Sequence, residues 1–303
     1  MNKLLILLFL LLTSTHVLAN KKSDLHEHNF IHGNVSCENN TDPKIEIYEY
    51  SAYTYILRQN KCTHYEAPFI YVLFGDNKVL IQDTGATKDA AKFPLYSVVM
   101  ELVNKHALLN QKSIKDYEII VSHSHSHSDH IAGDEQFKNK KNIRLINPTS
   151  SSVQSFFGYD QDTLKWPSDN TNLELGNRNL TIIPIPGHQS ESIAIYDPKH
   201  RWLLTGDTFY PGRLYIKNWQ KYKLSISRLV SFSKSHPVLA IMGTHIEMSD
   251  KPGIDYPIGS TYQPNEAPLP LELNSLLKLN AHLKLNTTPK KVVTDKFFIY
   301  PID

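Results

Sequence analysis

The stretch Ser122-His123-Ser124-His125-Ser126-His127-Ser128-Asp129-His130 places four imidazoles and a carboxylate within nine residues. It follows directly on Tyr117-Glu118-Ile119-Ile120-Val121, an apolar run that reads as a strand. Neutral imidazole with carboxylate is the donor set that suits zinc and related first-row cations. In extended backbone, residues two apart project the same way, so His125 and His127 can reach one cation together. Asp129 and His130 stand where the chain turns into its next element and can address a second cation. The pattern H-x-H-x-D-H has one register here, because only position 129 supplies the aspartate. His123 shares a face with His125 one residue pair earlier, and is expected to pack or support rather than bind.

Four more segments end in the same manner. Pro184-Ile185-Pro186-Gly187-His188 and Ile241-Met242-Gly243-Thr244-His245 each lead an apolar run into a histidine. Leu203-Leu204-Thr205-Gly206-Asp207 and Val79-Leu80-Ile81-Gln82-Asp83 lead into aspartates. In α/β sheets functional groups gather at strand ends, where loops form a crevice. Further strands are expected at 44–50, 52–57, 69–74, 78–82, 143–147, 180–184, 192–196, 202–205, 238–242 and 291–300. Helices are expected near 93–109, 150–157, 219–235 and 269–285. Strands followed twice by strand–helix alternation suggest two sheets covered by helices, a four-layer αββα sandwich. No internal repeat or linker divides residues 45–303, which read as one domain.

With five such motifs in order, the chain resembles the metallo-β-lactamase-fold hydrolases, the superfamily that includes glyoxalase II and the acyl-homoserine lactonases. The resemblance implies that His125, His127 and His188 hold one divalent metal ion. It implies that Asp129, His130 and His245 hold a second and that Asp207 bridges the two, with zinc the default cation and Asp83 orienting a ligand histidine. It further implies a metal-bridging hydroxide that attacks an ester, lactone or thioester, with Asp129 relaying the proton. Asp207 favours this branch over the β-lactamases, which place Cys or Ser there. Tyr210, three residues beyond Asp207, matches the tyrosine that assists at the carbonyl in the lactonases. The alternatives that remain are a β-lactamase and a mononuclear-iron oxidoreductase like the sulfur dioxygenases of the same superfamily.

Composition limits the partners. With 32 Lys and Arg against 30 Asp and Glu, interspersed, the net charge of +2 offers no basic surface for nucleic acid. The substrate is expected to be a small molecule. Lys3, the apolar run Leu4 to Leu12 and Val17-Leu18-Ala19 form a secretory signal pattern with cleavage near Ala19. The mature protein is therefore expected to be periplasmic or secreted, with no membrane insertion after cleavage. Residues 20–44 are polar and are expected to form a flexible lead-in. Cys37 and Cys62 are the only cysteines; in an oxidising compartment they are expected to pair, two free thiols being the alternative. Phe156, Phe157, Tyr159 and Trp166 are candidates for lid or core packing.

Overall fold

A computed structural model describes residues 25–302; the signal pattern ending at Ala19 lies outside the described residues. The first sheet contains β1 (Ile45–Ser51), β2 (Thr54–Gln59), β3 (Phe69–Phe74), β4 (Lys78–Gln82), β5 (Glu118–Ser122) and β6 (Ile143–Leu145), in that spatial order. Its first four strands form an antiparallel meander, and β4, β5 and β6 run parallel. The crossover from β4 to β5 passes through α1 (Leu95–Leu109). After β5 come the single turn α2 (Ser128–Ile131) and, beyond β6, α3 (Ser150–Phe156).

The second sheet begins with β7 (Thr171–Glu174), β8 (Asn179–Pro184), β9 (Ile193–Asp197) and β10 (Trp202–Gly206). The next strand, β11 (Arg213–Ile216), leaves for a small third sheet. After α4 (Trp219–Ser233) the chain returns as β12 (Ala240–Gly243), parallel to β10, and then β13 (Pro270–Leu271). The helix α5 (Leu273–Leu285) is followed by β14 (Val292–Val293) and β15 (Phe298–Pro301), which complete the third sheet with β11.

Alternation of side chains along the strands generates four layers. On β4, Leu80 faces the core between the two large sheets, while Val79 and Ile81 pack against Val99, Val103 and Ala107 of α1. On β10, Leu204 faces the same inner core with Ile182, Ile195 and Met242. Leu203 faces outward, to Tyr222, Ile226 and Leu229 of α4 and Leu276, Leu279 and Leu283 of α5. The architecture is the expected αββα sandwich.

Three departures from the sequence reading have local causes. Residues 25–44 are not a loose lead-in where they are described: Leu25 and Phe30 are buried in the inner core, Ile31 N–H donates to Glu46, and Cys37 is bonded to Cys62. The polar composition of that stretch hid two apolar anchors spaced five apart. The last strand is a hairpin, β14 and β15, divided by a turn that Thr294 closes onto Phe297. Strands β7, β11 and β13 went unread because each is four residues or fewer. Phe157 and Tyr159 pack in the inner core with Phe156 and Trp166 against it, so the aromatic group serves as packing.

One buried group predicts acid lability. His106 on α1 is 1% exposed, stacks on Phe74 at 4.3 Å and lies 3.0 Å from the Tyr117 hydroxyl. Burial, then the charges of Lys112 and Lys199, lower its pKa from 6.5 to about 4. A depressed histidine pKa leaves the unfolded chain binding more protons between those values. Stability present above pH 6.5 is then lost as pH falls toward 4, by about 3 kcal/mol. Denaturant unfolding at pH 7, 5.5 and 4.5 should show a flatter profile for His106→Gln than for the wild type. Equal slopes would sink the assignment.

Candidate metal centre

The fold gathers the motifs at one edge. Strands β4 and β5 are parallel, as are β10 and β12, so Asp83, the 123–130 segment, Asp207 and His245 all leave strand ends on the same side. Two cross-sheet hydrogen bonds seal that edge: Ile193 N–H donates to Ser124 O at 3.0 Å, and Phe69 N–H to Thr244 O at 2.8 Å. Two glycines allow the close approaches. Gly187 has φ +150°, and a Cβ there would lie 2.4 Å from the Tyr222 backbone in α4. Gly206 has φ +52°, and its Cβ would lie 2.5 Å from Ser124 Cβ.

All seven expected ligands converge. One cluster contains His125, His127, His188 and Asp207; the other contains Asp129, His130, Asp207 and His245, each with donor atoms within 4.8 Å of one another. His127 Nδ1 lies 3.0 Å from both His125 Nε2 and His188 Nε2. Asp207 faces both clusters: Oδ2 is 3.7 Å from His125 Nε2 and 3.8 Å from His188 Nε2, while Oδ1 is 3.5 Å from His130 Nε2 and 3.4 Å from His245 Nε2. Asp129 Oδ2 lies 3.2 Å from the same Nε2 atoms of His130 and His245.

The opposite ring nitrogens explain why these groups fit cations. His188 Nδ1–H donates to Tyr215 O at 2.7 Å, and His245 Nδ1–H to Glu66 O at 3.0 Å. His125 Nδ1–H donates to Ser124 Oγ at 3.0 Å, and His130 Nδ1–H to Asp83 Oδ2 at 3.1 Å. With those protons committed, Nε2 of His125 and His188 and Nδ1 of His127 present lone pairs to one another, an arrangement that a cation relieves, while Nε2 of His130 and His245 face the carboxylates of Asp129 and Asp207. The separations suit it too, since ~2.0–2.1 Å metal–nitrogen bonds set tetrahedral edges near 3.4 Å.

The two halves differ in charge demand. Burial, reinforced by His130, holds His125 well below the ordinary histidine range, and burial lowers His188 against the pull of Asp207. Burial opposes charge at His130 and His245 as well, but Asp207 and Asp129 outweigh it. They raise His130 well above its usual value and His245 to about 9. The carboxylate-rich half demands positive charge, and the imidazole-rich half offers neutral donors.

Asp83 is fully buried with φ +73°, a conformation uncommon for a residue with a side chain. Its Oδ1 accepts Ser124 N–H at 2.6 Å, and Oδ2 accepts Ser124 Oγ–H at 2.9 Å. One carboxylate therefore orients His130 directly and His125 through Ser124. His123 is not a ligand: its Nε2 meets Asp134 Oδ1 at 2.8 Å, and Thr84 donates to the same oxygen.

Tyr210 departs from expectation. It is 2% exposed, and its hydroxyl donates to Arg213 O at 2.6 Å with Glu247 Oε2 at 3.1 Å. In this arrangement the hydroxyl is committed to Arg213 O and Glu247 rather than free to donate at a carbonyl, as an assisting role requires. Sequence reading missed Thr244, which donates to Asp207 Oδ1, and the carbonyls of Glu66 and Tyr215. A backbone carbonyl leaves no trace in residue identity. It also missed Gln189 and Glu191, although the polar run Gln189-Ser190-Glu191-Ser192 directly after His188 was a visible signal.

The metallo-beta-lactamase superfamily model matches residues 66–279, and the chain belongs to that superfamily. Over 111 residues it is 32% identical to a hydroxyacylglutathione hydrolase of Ectopseudomonas mendocina (strain ymp), covering 36% of this chain and 40% of that protein. Over 149 residues it is 28% identical to the acyl-coenzyme A thioesterase MBLAC2 of Homo sapiens, covering 47% and 50%. The chain thus spans half or less of the length of these curated relatives. The solved structure of TMB-1 matches 82% of this chain with a TM-score of 0.50 at 14% identity, a likeness of fold alone.

Proposed function

We propose that the protein is an exported dinuclear-metal hydrolase that cleaves an ester, lactone or thioester. The observation that carries the reading is Asp207, whose two carboxylate oxygens each face one cluster of ligand atoms. Like-charged cations a few ångström apart need a bridging anion, and Asp207 would supply one. Two divalent cations held there, zinc by default, would acidify water to give a nucleophile at neutral pH and polarise the scissile carbonyl.

The chain's own residues do the rest. Asp83, Ser124 and the Glu66 and Tyr215 carbonyls fix the rings before substrate arrives, so no reorganisation is required during turnover. Asp129, only partly buried, is the carboxylate placed to take a proton from the attacking water and return it to the leaving group. Thioesters lead the substrate classes, because the matched relatives are named hydroxyacylglutathione hydrolase and acyl-coenzyme A thioesterase. The lactone reading loses the support of Tyr210, whose hydroxyl is committed to Arg213 O and Glu247.

Export is supported by the signal pattern before Ala19 and by the Cys37–Cys62 disulfide, which persists in oxidising compartments. Among the described residues no helix is long and apolar enough to cross a membrane. The test is turnover by the zinc-loaded mature protein of thioester, lactone and aryl-ester panels beside a chromogenic cephalosporin, with bound metal counted. Two cations per chain with thioester or ester turnover is the expected result. Cephalosporin turnover alone would overturn the substrate class, and one iron with O₂ uptake would overturn hydrolysis.

A further inference from the structure

We infer that Gln189 is the positioning residue for His127, with Glu191 clamping the turn that carries His127, and that these two residues set the affinity of one cation site without the other. The inference rests on the dinuclear reading above. His127 is the exception among the five ligand histidines. The other four are buried and donate to a backbone carbonyl, to buried Ser124 or to buried Asp83. His127 is half-buried at the start of α2, where the backbone is still extended. Its Nδ1 faces His125 and His188, so Nε2 carries the proton and needs an acceptor. The group that meets Nε2 is the side-chain amide of Gln189, with its nitrogen Nε2 toward the ring. Amide oxygen and nitrogen are interchangeable by a flip, and a ring that binds through Nδ1 requires Oε1 on this contact.

A side-chain acceptor has rotamer freedom that a carbonyl lacks, so it must be held. Gln189 N–H donates to Ser192 Oγ at 3.1 Å, and Gly187 N–H donates to Gln189 O at 3.1 Å, which fixes the backbone of the turn. Glu191 is 5% exposed and ties this turn to the one carrying His127. Its Oε1 accepts both N–H and Oγ–H of Ser126, the N–H at 3.2 Å, and its Oε2 accepts Ser190 Oγ–H at 2.7 Å. The five residues 188–192 therefore supply one ligand, the partner of a second ligand, and the clamp on the residue preceding that second ligand.

The consequence is site-selective. Gln189→Ala should lower the affinity of the His125/His127/His188 site ~10–100-fold, the usual loss when the partner of a metal-binding histidine is removed. The Asp129/His130/His245 site should stay within about twofold, since its rings keep Asp83 and Glu66. Gln189→Glu keeps an acceptor at Nε2 and should recover most of the loss. Glu191→Ala should weaken the same site, and Glu191→Gln, which still accepts from Ser126, should weaken it less. Stepwise Zn²⁺ titration against a chromogenic chelator reads the two affinities, and the Co²⁺ visible spectrum reports the geometry of each site independently of turnover. Melting of the metal-free variants separates positioning from folding. Selective loss with Gln189→Glu rescue is the expected result. Unchanged affinity in Gln189→Ala, or equal weakening of both sites with a lowered metal-free Tm, would overturn the inference while leaving the dinuclear reading intact. A wild-type protein that takes up no cation overturns both.

Discussion

Asp207→Asn should lose about one equivalent of bound cation and at least ~10²–10³-fold in kcat/KM, the scale for removing one preorganised electrostatic group. The side chain is 7% exposed, and burial raises the cost of its charge; His245, His130 and His125 outweigh that cost and hold its pKa well below the carboxylate range. Thr244 donates to Oδ1, which fixes the carboxylate plane so that one oxygen serves each cluster. Asparagine has nearly the same shape but carries no charge, and its NH₂ would aim protons at a place where a cation must bind. The expected signature is a variant that folds, binds one cation tightly, and is inactive. Asp207→Glu restores the charge with a longer reach, and should recover part of the stoichiometry before it recovers activity. Metal counting and kcat/KM on the same preparations check both points. Retention of two cations with more than a tenth of the activity would show that the bridge is dispensable.

The clustering of the candidate ligands was legible in the sequence because their chemistry is concentrated. Nine residues hold four of the seven donors, and the rest sit where apolar strands end. Sheet physics forces those ends to one edge, so residue type and position sufficed to expect that His125, His127, Asp129, His130, His188, Asp207 and His245 would be brought together. What failed to read was whatever depends on the partner rather than the residue. Tyr210 stands three beyond Asp207 as the pattern requires, yet its hydroxyl direction is decided by the main-chain carbonyl of Arg213, which any residue type provides, and by Glu247, which is remote in the chain. His188 and His245 are steered by main-chain oxygens of Tyr215 and Glu66, and any residue type provides those. Residues 25–44 depart from expectation for a related reason: average polarity does not reveal that Leu25 and Phe30, with the Ile31–Glu46 hydrogen bond and the Cys37–Cys62 disulfide, pin the segment to the core.

Glu266→Gln should destabilise the fold by about 3–5 kcal/mol, the range for breaking a largely buried ion pair from one side. Arg58 on β2 has no exposed surface; its guanidinium grips Glu266 with both terminal nitrogens, Nη2 to Oε1 at 2.6 Å, and lies over the Phe69 ring at 4.7 Å. Lys61, 2% exposed, sits 3.7 Å from Glu266 Oε1. One carboxylate thus compensates two buried cations, and it comes from the loop between β12 and β13 that follows His245. Removing its charge strands both, whereas an exposed pair would cost less than about 1 kcal/mol. Burial already lowers Lys61 to about 8 against the pull of Glu266. Above that pH the lysine is neutral and only Arg58 is stranded, so the cost should be smaller at pH 9 than at pH 7. The double variant Arg58→Met, Glu266→Gln removes the Arg58 end, leaving Lys61 alone without its carboxylate, and should recover part of the loss, since apolar replacement of a buried pair is often close to neutral. Denaturant unfolding of the two single variants and the double variant closes that cycle. A single-variant cost under 1 kcal/mol would mean that the loop opens to let water reach Arg58. The chain after His245 would then be held by its backbone hydrogen bonds, such as Ala267 N–H to Met248 O at 2.9 Å, rather than by the ion pair.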